Sequence, residues 1–263
     1  MLLSDRPRRV YRTSLTHEVI CQLRFPTILT INNNPPADFQ ESIRDIFPRY
    51  AVRQEKMPPQ VLGLGGPNPQ VKQQPPVSNY TFLSADGLWK LNLTQNFIAL
   101  STLRYTGWEE FARQLDRSLA QFISIYKPAY FERVGLRYLN FIDRKQLSVE
   151  DIPYRELIQP CYLGPLALEQ MHEKSVSRCT IDTEFALRGG CRVKVHAGPA
   201  MVKQRNQAEG QQKFIFDMDL FMPGKIQVNL SAGALQTIHA QSYPLFRSAI
   251  TDTLHDAMEP EFI

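Results

Sequence analysis

Three short segments of the chain carry charged residues at every second position: Asp182 and Glu184, then Arg192, Lys194 and His196, then Asp217 and Asp219. If 177–187, 191–197 and 213–221 pair as neighbouring strands, these side chains share one sheet face, because successive strand residues point to opposite sides. Acid then alternates with base across that face. The commoner outcome of such a pattern is a solvated surface whose cross-strand pairs contribute about 0.2–1 kcal/mol each. The chemical alternative uses Asp217, Asp219, Glu184 and His196 as a divalent-metal or acid/base site, since carboxylates and imidazole can hold a hard cation or tune one another's protonation. A binding face for another molecule is the third reading.

Arg133 and Arg137 flank Gly135 in a strand-like segment where a glycine lets another backbone or a flat ligand approach closely. With Arg192 and Lys194 they form the candidate binding set. Phosphate is one partner for such a pair; a Glu or Asp on a neighbouring element is the plainer one. Tyr130, Phe131, Tyr138 and Phe141 are interleaved, and arginines among aromatics can serve single-stranded nucleic acid. Arg6, Arg8, Arg9 and Arg12 make a short basic arm, expected as a solvated tail or, less commonly, a phosphate-binding element. Nucleophile elbows, paired-histidine zinc motifs and dinucleotide fingerprints do not occur in the sequence. His17, His172, His239 and His255 stand alone, and Gly63-Leu-Gly-Gly66 is not followed by the Lys-Ser/Thr of a phosphate loop. No cofactor and no metal centre is expected on motif grounds.

The elements that must position these residues follow from periodicity. Residues 18–25 alternate as a strand ended by Pro26, and a short helix begins near Asp38 with Phe39, Ile43, Ile46 and Phe47 on one stripe. The stretch 58–76, with its prolines, glycines and glutamines, reads as a loop. Strands are predicted at 79–85, 88–94 and 97–103, the first two joined by an Asp86-Gly87 turn. Thr106 with Glu109 reads as a capping box, opening a helix whose Trp108, Phe111, Leu115, Leu119, Phe122, Ile123 and Tyr126 form a wide apolar face up to Pro128. A strand at 129–142 follows. Then come the three charged strands, a Gly189-Gly190 turn, a polar excursion at 203–212, a further strand at 225–230, and a final helix with Pro244 in its first turn.

The predicted class is therefore α+β, with two successive antiparallel-sheet-plus-helix units. The expected division is 1–57 as N-terminal strand and helix, 58–76 as loop, 77–145 as first unit and 146–263 as second, within what can be one continuous domain. The 263 residues suffice for a sizeable core, and 43% hydrophobic with 21% charged residues is a globular composition. A net charge of +4 tolerates nucleic acid without arguing for it. Asp5, Arg6, Arg8 and Arg9 interrupt any signal-peptide core and no 18-residue apolar run occurs, so a cytoplasmic protein with no membrane partner is expected. Cys21, Cys161, Cys179 and Cys191 lack disulfide or zinc spacing, and Cys21, Cys179 and Cys191 are expected as reduced core thiols.

The segments Glu18-Val-Ile-Cys-Gln-Leu-Arg-Phe25, Arg133-Val-Gly-Leu-Arg-Tyr-Leu-Asn140 and Phe246 to Asp252 resemble a sporadically distributed prokaryotic family of uncharacterised proteins. That resemblance implies a place among mobile accessory genes of bacteria, including toxin–antitoxin or phage-defence operons, and carries no functional residues with it. The expected function is a non-enzymatic binding or accessory protein that recognises a protein partner. Nucleic-acid recognition through Arg133, Arg137 and the basic arm comes second, and a metal-dependent enzyme using Asp217, Asp219 and His196 third.

Overall fold

The computed structural model describes residues 3–56, 58–62, 70–203 and 209–261. In chain order the elements are β1 (Val10–Tyr11), β2 (Thr16–Arg24), α1 (Leu29–Asn33), α2 (Ala37–Ile43), β3 (Arg49–Glu55), β4 (Gln60–Leu62), β5 (Gln70–Lys72), β6 (Val77–Leu83), β7 (Trp89–Leu93), β8 (Phe97–Thr102) and α3 (Trp108–Tyr126). They continue with β9 (Phe131–Ile142), β10 (Ile181–Ala186), β11 (Arg192–Val202), β12 (Gln211–Ile226), α4 (Ser231–Ala249), α5 (Asp252–Ala257) and β13 (Pro260–Glu261). Two compact units form, one from Cys21–Arg133 and Lys225–Val228, the other from Met1–Ile20, Val134–Gly224 and Asn229–Ile263. We call them the α3 unit and the α4 unit. The fold is α+β, and each unit is an antiparallel sheet with helices packed on it. Among the described residues no helix is long and apolar enough to cross a membrane.

In the α3 unit the strand order is β2-β8-β7-β6-β3. The predicted stripe of α3 buries Trp108, Phe111, Leu115, Leu119 and Phe122, with Phe122 on Phe25 (4.8 Å between ring centroids) and Phe111 on Trp89 (5.8 Å). Lys127 ends the helix in a left-handed conformation (φ 46°), its N–H donating to the Ile123 carbonyl at 3.0 Å just before Pro128. The capping box is a correction: the helix starts one residue later than Thr106 would require, with Gly107 at the cap, and the Thr106 hydroxyl donates to Glu110 instead. Residues 58–76 are not wholly loop, because β4 and β5 pair antiparallel. Gly63 to Gly66 lie outside the described residues. β3 is a strand the periodicity did not predict, since it is exposed on both faces and so shows no alternation.

In the α4 unit the order is β10-β11-β12-β9-β2. The inward residues of β11 and β12 are Val193, Val195 and Ala197, and Phe214, Phe216, Met218 and Leu220, all buried. Helix α4 lays Ala234, Leu235, Ile238 and Leu245 into this core, and Phe246 reaches Phe216 at 6.3 Å. The turn from β10 to β11 needs positive φ at two successive residues (67° and 75°), which Gly189 and Gly190 adopt without steric cost. Two predicted boundaries are corrected. β12 runs through Pro223-Gly224 to Ile226 rather than breaking there, and α4 starts at Ser231, thirteen residues before Pro244, which sits inside the helix. Cys21 and Cys191 are buried thiols as expected; Cys179 is half-buried and Cys161 exposed, and all four are free.

Candidate functional site

Strand register brings the charged residues of the α4 unit together. Asp182 lies opposite His196 and His196 opposite Asp217, while Glu184 lies opposite Lys194 and Lys194 opposite Asp219. The alternation that buries Val193, Val195 and Ala197 forces these neighbours onto the open face, so two acid–base–acid rows run across β10, β11 and β12. They border a shallow, open depression of about 460 Å³, into which Arg137 also projects.

Each row is tied internally. His196 Nδ1 lies 2.6 Å from Asp182 Oδ1, Arg192 Nε donates to Glu184 at 2.7 Å, and Lys194 Nζ is 3.7 Å from the other Glu184 oxygen. Arg137 reaches from β9 to grip Asp217 with two parallel bonds, Nε to Oδ1 at 2.8 Å and Nη2 to Oδ2. That geometry is the strong, bidentate form of carboxylate recognition. The Asp217 side chain is 9% exposed and that of Arg137 47%, so the arginine covers the carboxylate from the solvent side. The bond to Asp217 raises the guanidinium pKa, against the burial that would lower it. A carboxylate held this way is a poor general base and a poor metal ligand, because either role requires Arg137 to leave first. Among the described residues no group of three or more His, Cys, Asp or Glu side chains is arranged to hold a metal ion.

The predicted site residues thus meet in part. Asp217, Asp219, His196, Arg192, Lys194 and Arg137 belong to one face. Arg133 is half-buried and belongs to the α3 unit.

The basic arm is corrected from a solvated tail to a strap within the α4 unit. Val10 and Tyr11 pair with Glu261 and Pro260, and the N–H groups of Ser4, Arg12 and Thr13 donate to the carbonyls of Pro244, Glu259 and Met258 at 3.0–3.2 Å. Arg6 pairs with Asp252, and Arg12 with Glu259 at 3.1 Å and Glu261 at 3.4 Å. Arg8 meets His239 Nε2 at 3.3 Å, while the same ring's Nδ1 lies 3.0 Å from the Tyr138 hydroxyl. His255, with its pKa lowered chiefly by burial, has its Nδ1 2.9 Å from the Tyr11 hydroxyl. None of these long-range partners has a signal in the local sequence.

Asp252 gives the strap a pH dependence. Hydrogen bonds from Arg6 and then Arg247 pull its carboxyl down to about 2 from an ordinary value of 3.8. A depressed folded-state value means the pairs stabilise the docked arm above about pH 4 and lose that effect as pH falls through about 2. Amide exchange at Arg12 and Thr13, corrected for intrinsic rates, should therefore accelerate between pH 4 and 2, and R6A should show the same acceleration at neutral pH. Protection indifferent to both changes would show that the arm is held by its backbone bonds alone.

No family model and no curated protein matches the chain.

Proposed function

We propose that the protein is a non-enzymatic binding module and that the charged face of the α4 unit is where a protein partner docks. The observation that carries this reading is the pair of acid–base–acid rows around an open depression, in which the four carboxylates of Asp182, Glu184, Asp217 and Asp219 outnumber the cations of Arg137, Lys194 and Arg192. A mixed-sign face with an acidic excess complements a protein segment that brings lysine or arginine together with a carboxylate. It mismatches the uniform negative charge of a nucleic-acid backbone. The nucleic-acid reading is weakened further because Arg137 is committed to Asp217 and Arg6, Arg8 and Arg12 are committed within the strap. The resemblance to a sporadically distributed prokaryotic family, whose patchy occurrence suits mobile accessory genes, makes the product of a neighbouring gene in a defence-type operon the first partner to test.

The test is co-purification from the native host with wild-type protein and with D182N/E184Q, which removes two carboxylates without changing shape. A stoichiometric protein partner should be retained by wild type, about tenfold more weakly by the variant, and less well at high salt. Material removed by nuclease would instead support nucleic-acid recognition. Equal retention by wild type and variant would move the interface off this face.

A further inference from the structure

β3 ends the sheet order in the α3 unit: it pairs with β6 on one side, and among the described residues no strand pairs with its other edge. An edge strand is ordinarily half-covered on one face. Here six of the seven residues of Arg49–Glu55 are exposed, including Tyr50 at 46% and Val52 at 50%. The strand contains no proline, one of the devices that block further pairing.

We propose that this free edge pairs with the same edge of a second copy of the chain, antiparallel about a two-fold axis at Val52. The strand is self-complementary in that register. Arg49 falls opposite the second copy's Glu55 at both ends, Tyr50 opposite Gln54, Ala51 opposite Arg53, and Val52 opposite Val52. All seven residues overlap, and each Arg53 stem faces the small Ala51. A shift of two residues one way sets Arg49 against Arg53, and a shift the other way sets Arg53 against itself. A shift of one residue turns the faces over. Of the registers that keep the faces aligned, the fully overlapped one alone pairs all seven residues, and it joins opposite charges at both ends with no like charges directly opposite; the shift of four that sets Arg53 against Glu55 overlaps only three residues.

Arg49 donates to the Ala85 carbonyl and Glu55 accepts from the Asn79 amide at 2.7 Å, both on the β6 side of the strand, and each side chain keeps further donors or acceptors for a partner across the free edge. Isologous pairing of this kind closes after two copies, so it gives a dimer and not a filament. The contact is small for a permanent interface, which makes the dimer concentration-dependent.

Sedimentation equilibrium of the full chain up to about 1 mM should show a monomer–dimer equilibrium. R49E and E55R should each raise the dissociation constant by about tenfold, because each sets like charges opposite one another at both ends of the homodimer. An equimolar mixture of R49E with E55R should restore dimerisation as a heterodimer, since both end pairs are then of opposite sign, and the R49E/E55R double variant should dimerise on its own. Recovery on mixing also excludes misfolding as the cause of the single-variant loss. A protein monomeric at every concentration, or a dimer indifferent to all four charge arrangements, would overturn the proposal.

Discussion

Replacing Asp143 by alanine should destabilise the protein by about 3–5 kcal/mol, the typical cost of stranding one member of a buried ion pair. Lys213 Nζ lies 2.9 Å from Asp143 Oδ2, with the two side chains only 10% and 13% exposed. The other carboxylate oxygen accepts the N–H groups of Lys145 at 3.0 Å and Gln146 at 3.3 Å, fixing the turn that follows β9. Burial pushes the carboxyl up, but the Lys213 bond and the two amides outweigh it and hold it below its ordinary value. Its stabilising effect is accordingly present above about pH 4 and lost as pH falls through the lower folded-state value. The margin of wild type over D143A in urea denaturation should shrink in acid. The double variant D143A/K213M should recover much of the loss, because an apolar pair leaves no unpaired charge. Should D143A cost under about 1 kcal/mol, water must reach the pair; should K213M fail to rescue D143A, the loss lies in the two amide bonds of the turn and not in the stranded lysine.

What the sequence revealed and what it concealed divide along a physical line. The charged rows were legible because alternation is local: the residues that bury Val193 and Val195 must expose Arg192, Lys194 and His196. The stripe of α3 was legible for the same reason at a different period. Arg137 and Asp217 each stood out alone, but the bond between residues eighty positions apart, which turns a candidate base into an arginine partner, is a property of register and not of pattern. The strap is more extreme, with Arg6 meeting Asp252 across 246 positions. Helix α4 was missed through its first thirteen residues because its buried face is built partly from Ser231, His239, Gln241 and Ser242, which dilute any apolar stripe, while Pro244 imitates a first-turn proline. Thr106 satisfied the capping pattern one residue too early, and the chain used a glycine at the cap instead.

Gly198 is expected to be the most sensitive position near the charged face, although it carries no charge. A Cβ placed there would stand 2.2 Å from the Cys179 carbonyl oxygen and 3.3 Å from the Thr180 Cα. These are backbone atoms, so no change of rotamer relieves the overlap. Either β11 or the 179–180 segment must move. That segment runs directly into Ile181, which lies opposite Ala197, and Ile181 begins the strand that carries Asp182 and Glu184. G198A should therefore cost about 3 kcal/mol by overpacking, and hydrogen exchange should quicken across 181–186 while the α3 unit is unaffected. G190A is the control: that position has positive φ but nothing within 4 Å of an added Cβ, so it should cost about 1 kcal/mol and leave β10 paired. If the charged face is the docking site, G198A should also weaken partner binding without altering a single charge, because Asp182 then loses the register that holds it opposite His196. Normal binding by a variant with a loosened β10 would mean that β10 takes no part in docking.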